Sequence, residues 1–446
     1  MKRLTTVAAL ALAGCGSWQR VGGDTTPAPE EQAIAQMTDL PAVFRSLGRL
    51  AAGAPLPFIG SVGVLAGPGD SSFALVALSF SNKDFSFNKS EADFVARYRV
   101  EIVAQREGTS AVTLTKDETV RVRSYQETQR SDESLLFQQT LRLAPGTYTV
   151  SVTLRDLASP RTTSSQAAVL VPTYPPGSVS APFFVYQIKG RPSPSVAPSA
   201  ILNPRGTVAY GGDSLLAYVE GYGMTAPRAV PFELRDAQDS VVLRSAIQFS
   251  GGLPLEAHAI RLRSDSVPLG ILRLVLDPGP NQRWTGLLVS LSPAWLVTNY
   301  DQMIDLLRYF GSESQLTALK KATPAERPAL WAQFWHDTDP NPDTPQNEAL
   351  TEYFIRLAQA NRLFLNEGVP GWRTDRGEVF IAVGPPDEIY DNTGTGQERL
   401  IRWNFIVQRL TLYFEDPSGF GRYTMTPTSR SQYENWLASY RRRGTQ

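Results

Sequence analysis

The sequence predicts a multidomain chain of two antiparallel β-sandwiches of immunoglobulin-like type followed by an α+β domain. Three observations predict it. At 446 residues the chain is too long for one hydrophobic core. Apolar residues alternate with polar ones through much of residues 57–292, the period of strands with one buried face. Beyond Pro293 the pattern changes to helices with recognisable starts.

Residues 1–14 read as a secretion signal, with Lys2 and Arg3 as a positive head and Leu4 to Ala13 as an apolar stretch. That stretch is about half of the roughly twenty residues needed to span a bilayer. Leu12-Ala13-Gly14-Cys15 follows and contains the only cysteine of the chain. It resembles the lipobox of bacterial lipoproteins. The resemblance implies a diacylglycerol on the Cys15 thiol, cleavage before it, and a membrane partner held through acyl chains. Residues 15–56 are then expected to be a tether containing Pro27 and Pro29, ending in a short helix capped by Asp39. Leu40, Val43, Phe44, Leu47 and Leu50 lie on one side of that helix, a side expected to dock on the following domain or to lie on the membrane.

In residues 57–175 the runs Phe73 to Phe80, Arg97 to Val103, Thr119 to Arg123 and Leu135 to Leu143 predict strands. After a turn at Ala144-Pro145-Gly146, the residues Tyr148, Val150, Val152 and Leu154 point to one face. Residues 176–292 predict a second sandwich, with strands in Ser214 to Glu220, Val230 to Arg235, Val241 to Ile247, Ala259 to Arg263 and Gly270 to Leu276. Proline-rich passages, Pro172 to Pro182 and Pro192 to Pro204, read as linker or edge, since proline cannot donate to a central ladder. A carbohydrate-binding sandwich would need an exposed row of aromatics.

Residues 293–446 open with Thr298 or Asn299 before a helix from Tyr300 to Phe310, and Ser312 before Glu313 to Lys321. Thr323-Pro324-Ala325-Glu326 combines a cap, a first-turn proline and a glutamate at the third position, predicting a helix to about Trp335. Thr344-Pro345 opens another, with Leu350, Phe354, Leu357, Ala358 and Leu365 as its apolar stripe. Short strands are predicted at Glu378 to Val383, Arg399 to Ile406, Arg409 to Glu415 and Tyr423 to Thr426, then a helix from Ser431 to Arg443.

Lys+Arg and Asp+Glu both number 43; removing Lys2 and Arg3 with residues 1–14 leaves 41 against 43. This balance excludes the basic footprint of a nucleic-acid binder, and Arg441-Arg442-Arg443 reads as a solvated helix end. One cysteine permits no internal disulfide and no cysteine zinc site, and no cofactor is indicated. His336 stands in Trp335-His336-Asp337, where neighbours on a helix do not face one another. His258 reads as packing or surface.

Gly371-Trp372-Arg373-Thr374-Asp375 is similar to the signature of the GWxTD domain family of bacterial proteins. Upstream, Phe334-Trp335, Asp339-Pro340, Asn347-Glu348, Tyr353, Arg356, Ala360-Asn361 and Phe364 extend the resemblance. Downstream, Gly384-Pro385-Pro386-Asp387-Glu388-Ile389, Trp403, Phe414, Asp416 and Gly419-Phe420-Gly421 continue it, over roughly residues 300–425. The resemblance implies no reaction and no catalytic residues.

Physically, the signature reads as a tight turn leading into a strand, with Thr374 and Asp375 bonding backbone amides, Gly377 at positive φ and Trp372 buried. Arg373, Asp375, Arg376, Asp387 and Glu388 would pair and hold the turn against the Gly-Pro-Pro loop. The catalytic alternative places Asp375 and Glu388 in one cleft as acid and base of glycan hydrolysis, with Arg376 on an anionic group and Trp372 stacked on a ring. The expectation from sequence is a tethered, non-enzymatic envelope protein whose C-terminal domain meets another envelope protein or a glycan.

Overall fold

The computed structural model describes residues 40–443 except 91, 131–134, 211–213, 264–266, 281, 292–299, 343–346, 365–368, 392–398, 418 and 420. Cys15, the tether with Pro27 and Pro29, the Asp39 cap, the caps expected at Thr298 or Asn299 and at Thr344-Pro345, Leu365 and Phe420 lie outside the described residues. Among those described, no helix is long and apolar enough to cross a membrane. The protein is mostly β-sheet, with several sheets and a C-terminal helical part.

Sheet A joins strands Leu50–Ala52, Phe58–Ala66, Ser72–Phe80 and Leu135–Leu143 in that spatial order. Sheet B joins Asn88–Ser90, Asp93–Gln105, Gly146–Asp156 and Thr162–Val171, with Val112–Val122 also paired to Asp93–Gln105. One core lies between them. Ala74, Val76, Leu78 and Phe80 meet Val100, Ile102, Val150, Val152 and Leu154 there, as the alternation in Gly146–Asp156 requires.

Sheets C and D form a second facing pair. Sheet C holds Ser178–Val179, Phe183–Lys189, Ser199–Leu202, Leu215–Tyr222 and Leu255–Leu262; sheet D holds Thr207–Ala209, Arg228–Arg235, Val241–Phe249, Gly270–Leu276 and Arg283–Ser290. Their shared core includes Phe184, Ala217, Val219, Leu234, Leu274 and Leu287. The proline-rich passages expected as linker or edge each supply one end strand of sheet C, Ser178–Val179 and Ser199–Leu202, as the edge reading expected. Their prolines fall outside the strands, where no ladder donor is lost.

The two pairs are fused rather than strung apart. Strand Ser72–Phe80 is buried along its whole length: its even-numbered apolar residues enter the A–B core, while Phe73, Leu75 and Ala77 pack on Phe183, Val185, Leu202 and Tyr218 of sheet C. The layers therefore stack in the order B, A, C, D. Polar groups fasten the A–C contact. The buried Glu220 carboxylate accepts from Arg191 (2.7 and 2.8 Å), Tyr218 Oη (2.8 Å) and Tyr222 Oη (2.7 Å). Across the junction, Arg191 also donates to Ala66 O at 2.7 Å, and Ala66 N donates to Tyr222 Oη at 3.0 Å.

Helix α1 (Leu40–Ser46) docks on the body, as one of its two sequence readings expected. Phe44 and Leu47 pack with Ala51, Ile59 and Leu288, so this segment straps sheet D to sheet A. Arg49, 6% exposed, donates to Gly286 O at 2.7 Å. Burial lowers its pKa to about 10.

The C-terminal part places helices α2 (Tyr300–Leu306), α3 (Glu313–Lys321), α4 (Arg327–Thr338), α5 (Glu348–Leu363), α6 (Asp375–Val383) and α7 (Pro427–Arg443) with sheet E. That sheet orders Glu388–Asp391, Arg399–Phe405, Leu410–Asp416 and Thr424–Met425. A capping box of Ser312 and Gln315 starts α3. Thr323 and Glu326 bond as expected (2.7 Å), but the helix proper begins at Arg327. Asn347 caps α5 by accepting from Leu350 N at 2.9 Å, and it ties α5 to α4 through Trp335 O at 2.9 Å. This domain joins the β body at Leu291, whose carbonyl accepts from Trp331 Nε1 at 2.9 Å.

The predicted strand Glu378 to Val383 is a helix. The five-residue apolar run Val379 to Val383 is compatible with either form, and the ends decide. Thr374 caps one end, and Gly384, at φ 108, closes the other.

Candidate functional site

The signature residues Gly371–Arg373 make one turn of 3-10 helix that leads directly into α6. Thr374 is extended (φ −73, ψ 158) and its Oγ1 accepts from Gly377 N at 2.9 Å while donating to Gly371 O at 2.8 Å. One hydroxyl thus joins the two turns. Both glycines answer to close packing. A Cβ at Gly371 would lie 2.5 Å from Ala360 O, and one at Gly377 would collide with Gly371 O. Gly377 is helical, so the expectation of positive φ is corrected: space, not dihedral freedom, selects glycine there.

Trp372 is fully buried, as expected. Arg308 from the loop after α2 lies 4.7 Å from its ring and Arg373 lies 5.0 Å away, within the range of cation–π attraction. Arg376 extends over Tyr423 (4.4 Å) and Phe364 (5.0 Å).

Asp375 opens α6, where a carboxylate complements the helix N-terminus. Its Oδ1 pairs with Arg430 of α7 at 2.6 Å, and its Oδ2 accepts from Met425 N at 2.7 Å. Arg430 also reaches Glu378 at 3.1 Å. Burial raises the Glu378 pKa, a rise that Arg430 opposes. The Asp375 ion pair is therefore made with α7 and not with the Gly-Pro-Pro loop, which corrects the sequence reading. Arg430 gave no local signal, because its partners lie some fifty residues away along the chain.

Asp387 and Glu388 serve sheet E instead. Asp387 Oδ2 accepts from Ile406 N at 2.6 Å, and Asp387 N donates to Asn404 O at 2.9 Å. Glu388 is exposed; its Oε2 accepts from Asn404 Nδ2 at 2.9 Å and Tyr390 Oη at 3.1 Å. Those two hydrogen bonds hold its pKa below the ordinary glutamate value. Asp375 and Glu388 thus have different partners on different elements.

A groove of about 350 Å³ lies between α2 and α3, lined by Ile304, Asp305, Arg308, Glu313, Leu316, Thr317 and Lys320. Arg308, which lies on the Trp372 ring, links this groove to the signature. His336 projects from the last turn of α4, 3.5 Å from Asp337. His258 bonds Glu256 at 2.9 Å and packs on Phe249. Among the described residues, no group of three or more His, Cys, Asp or Glu is placed to hold a metal.

Residues 282–416 match the profile of the GWxTD domain. The match begins in the last strand of sheet D and ends before α7, which supplies Arg430. Comparison with curated proteins gave no match. Among solved structures, the chain is similar to the calcium-binding domain CBD12 of CALX1.1, at 10% identity over 58% of this chain and 87% of that one, with a TM-score of 0.14. It is also similar to a protein described as secreted from Parabacteroides distasonis, at 10% identity over 49% and 79%, with a TM-score of 0.12. Scores this low carry no argument about fold or ligand.

Proposed function

We propose, from the premise that this chain carries a GWxTD domain at residues 282–416, that it is a lipid-tethered, non-enzymatic envelope protein in which a stiff β body presents that domain to a partner. In this reading Cys15 carries the lipid and residues after it face the outside of the cytoplasm, at the outer membrane. The two sheet pairs are immunoglobulin-like sandwiches, and the partner is an envelope protein or a glycan.

The observation that carries the non-enzymatic part is the commitment of Asp375. Both of its oxygens are engaged, one by Arg430 and one by Met425 N, so the signature carboxylate serves to seat α7. General acid–base work on a glycosidic bond asks for two carboxylates facing one cleft, and the different partners of Asp375 and Glu388 lend the hydrolase alternative no support. The burial of Trp372 likewise removes it from stacking on a sugar. The stiffness follows from the A–C contact, where an apolar face and a buried ion pair replace a linker.

Three measurements test the proposal. Mass spectrometry of the mature amino terminus is expected to find acylated Cys15; a retained Met1 sinks the envelope placement. Purified protein is expected to leave envelope glycans uncut, and hydrolysis that disappears in Asp375→Asn establishes the enzyme instead. Crosslinking in the native host is expected to trap a specific partner on the C-terminal domain.

A further inference from the structure

The Gly384-Pro385-Pro386-Asp387 loop has a product at the end of sheet E. It runs from the end of α6 to the edge strand Glu388–Asp391, beside the turn that links Arg399–Phe405 to Leu410–Asp416. Asp387 clamps that turn through Ile406 N. The turn closes on itself by a bond from Arg409 N to Ile406 O at 3.2 Å, with Arg409 at φ 52. What the clamp holds out is apolar. Val407 is 84% exposed and Ile406 64%, with Ile389 at 59% on the adjoining strand.

Single exposed aliphatics are ordinary on a protein surface. Three together on one sheet end, at a turn clamped by a carboxylate and on the strand beside it, are not. An apolar tip that is already ordered loses little entropy when it is buried, which is the condition for a binding anchor.

The same domain carries a receptor of matching character. The groove between α2 and α3 has Ile304 and Leu316 among its lining, and its volume of about 350 Å³ is large enough for two aliphatic side chains. Its lining also includes Arg308 and Lys320 together with Asp305 and Glu313. The tip is flanked by Asp387 and Glu388 on one side and by Arg409 on the other. In a tip-to-groove contact Lys320 can meet a tip carboxylate, and Asp305 or Glu313 can meet Arg409.

We propose that the Ile406–Val407 tip of one copy seats in the α2–α3 groove of a second copy, so that the chain associates head to tail. Tip and groove are different surfaces of one domain, so the contact is heterologous. It leaves a free tip at one end and a free groove at the other, and generates rings or open chains rather than closed two-fold dimers. A two-fold pairing of edge strands Glu388–Asp391 is disfavoured by charge, because the antiparallel register would set Glu388 against Asp391 of the other copy. This inference rests on reading the C-terminal domain as an interaction module and is independent of the lipid.

The test uses the full chain with Cys15→Ser, so that neither lipid nor disulfide drives association, in sedimentation velocity over a range of concentrations. The parent is expected to form species beyond the dimer. Val407→Asp and Leu316→Asp, each alone, are expected to weaken association roughly tenfold or more by placing a charge in an apolar contact. Mixed in equal amounts they are expected to form a dimer and nothing larger, since one retains only its groove and the other only its tip. Lys320→Glu serves as the groove variant if circular dichroism shows that Leu316→Asp has lost the fold. A parent that stays monomeric throughout, or a mixture that associates no better than either variant alone, overturns the inference. Neither result touches the host crosslinking that tests the module reading.

Discussion

Arg430 of the last helix pairs with Asp375 of the signature at 2.6 Å and with Glu378 one turn later at 3.1 Å. One guanidinium thereby holds two carboxylates of α6 and pins α7 to it. The family match stops before α7, so the anchor of the signature helix lies outside the segment that defines it.

Removing that guanidinium leaves two carboxylates side by side in a partly buried site. Arg430→Ala is expected to lower unfolding free energy by about 1–3 kcal/mol, because a charged hydrogen-bond donor is lost and its acceptors are left behind. Adding Asp375→Asn to Arg430→Ala is expected to cost less than the sum of the two single changes. Urea denaturation of the three variants measures this, and strict additivity would show that the pair does not interact.

At Gly377 the expected sign is diagnostic. Alanine inside an exposed helix ordinarily gains about 1 kcal/mol over glycine. Here its Cβ would collide with Gly371 O, a backbone atom that cannot swing aside. Gly377→Ala is therefore expected to destabilise by about 1–3 kcal/mol, the range for overpacking. A stabilised variant in thermal denaturation would refute the packing account of the signature.

At the junction of sheets A and C, Arg191 and Glu220 have side chains 2% and 0% exposed. Truncating one member of such a pair strands the other without a partner. Glu220→Ala is expected to cost about 3–5 kcal/mol, whereas Arg191→Met with Glu220→Leu together recovers much of that loss. Chemical denaturation distinguishes the cases; equal losses in the single and double variants would mean that the pair is not what fastens the layers.

Asp156, at the end of its sheet B strand, bonds Ala158 N, Ser159, Ser86 N and Arg161. Burial alone would raise its pKa, but these hydrogen bonds outweigh it and hold the pKa below the ordinary 3.8. A carboxylate depressed in the folded state adds stability that is complete above the unfolded-state pKa and vanishes as pH falls through the folded value. The stability difference between the parent and Asp156→Asn should thus be constant from pH 7 to about 5 and shrink below about 4. Denaturation curves across that range decide it, and a gap that widens in acid would contradict the sign.

Much of this architecture was legible because it depends on neighbours in sequence. Alternation marked Tyr148, Val150, Val152 and Leu154 as one buried face, and Ser312 announced a helix that starts at Glu313. Trp372 was read as buried from its size and its place in a turn. The apolar run Val379 to Val383 was not separable by composition into strand or helix, although Thr374 before it and Gly384 after it carried the answer.

The sequence by itself determined which residues turn inward and where most elements begin, since a side chain's preference for a face is set by backbone period and its cap by the next three residues. Only the tertiary structure decided what each face meets. It put Phe73 and Leu75 against a second sheet pair, chose edge over linker for the proline-rich passages beside sheet C, and brought Arg430 to Asp375. Those choices are made by contacts between segments far apart along the chain, whose shape and charge must match in space and leave no periodic mark in either segment alone.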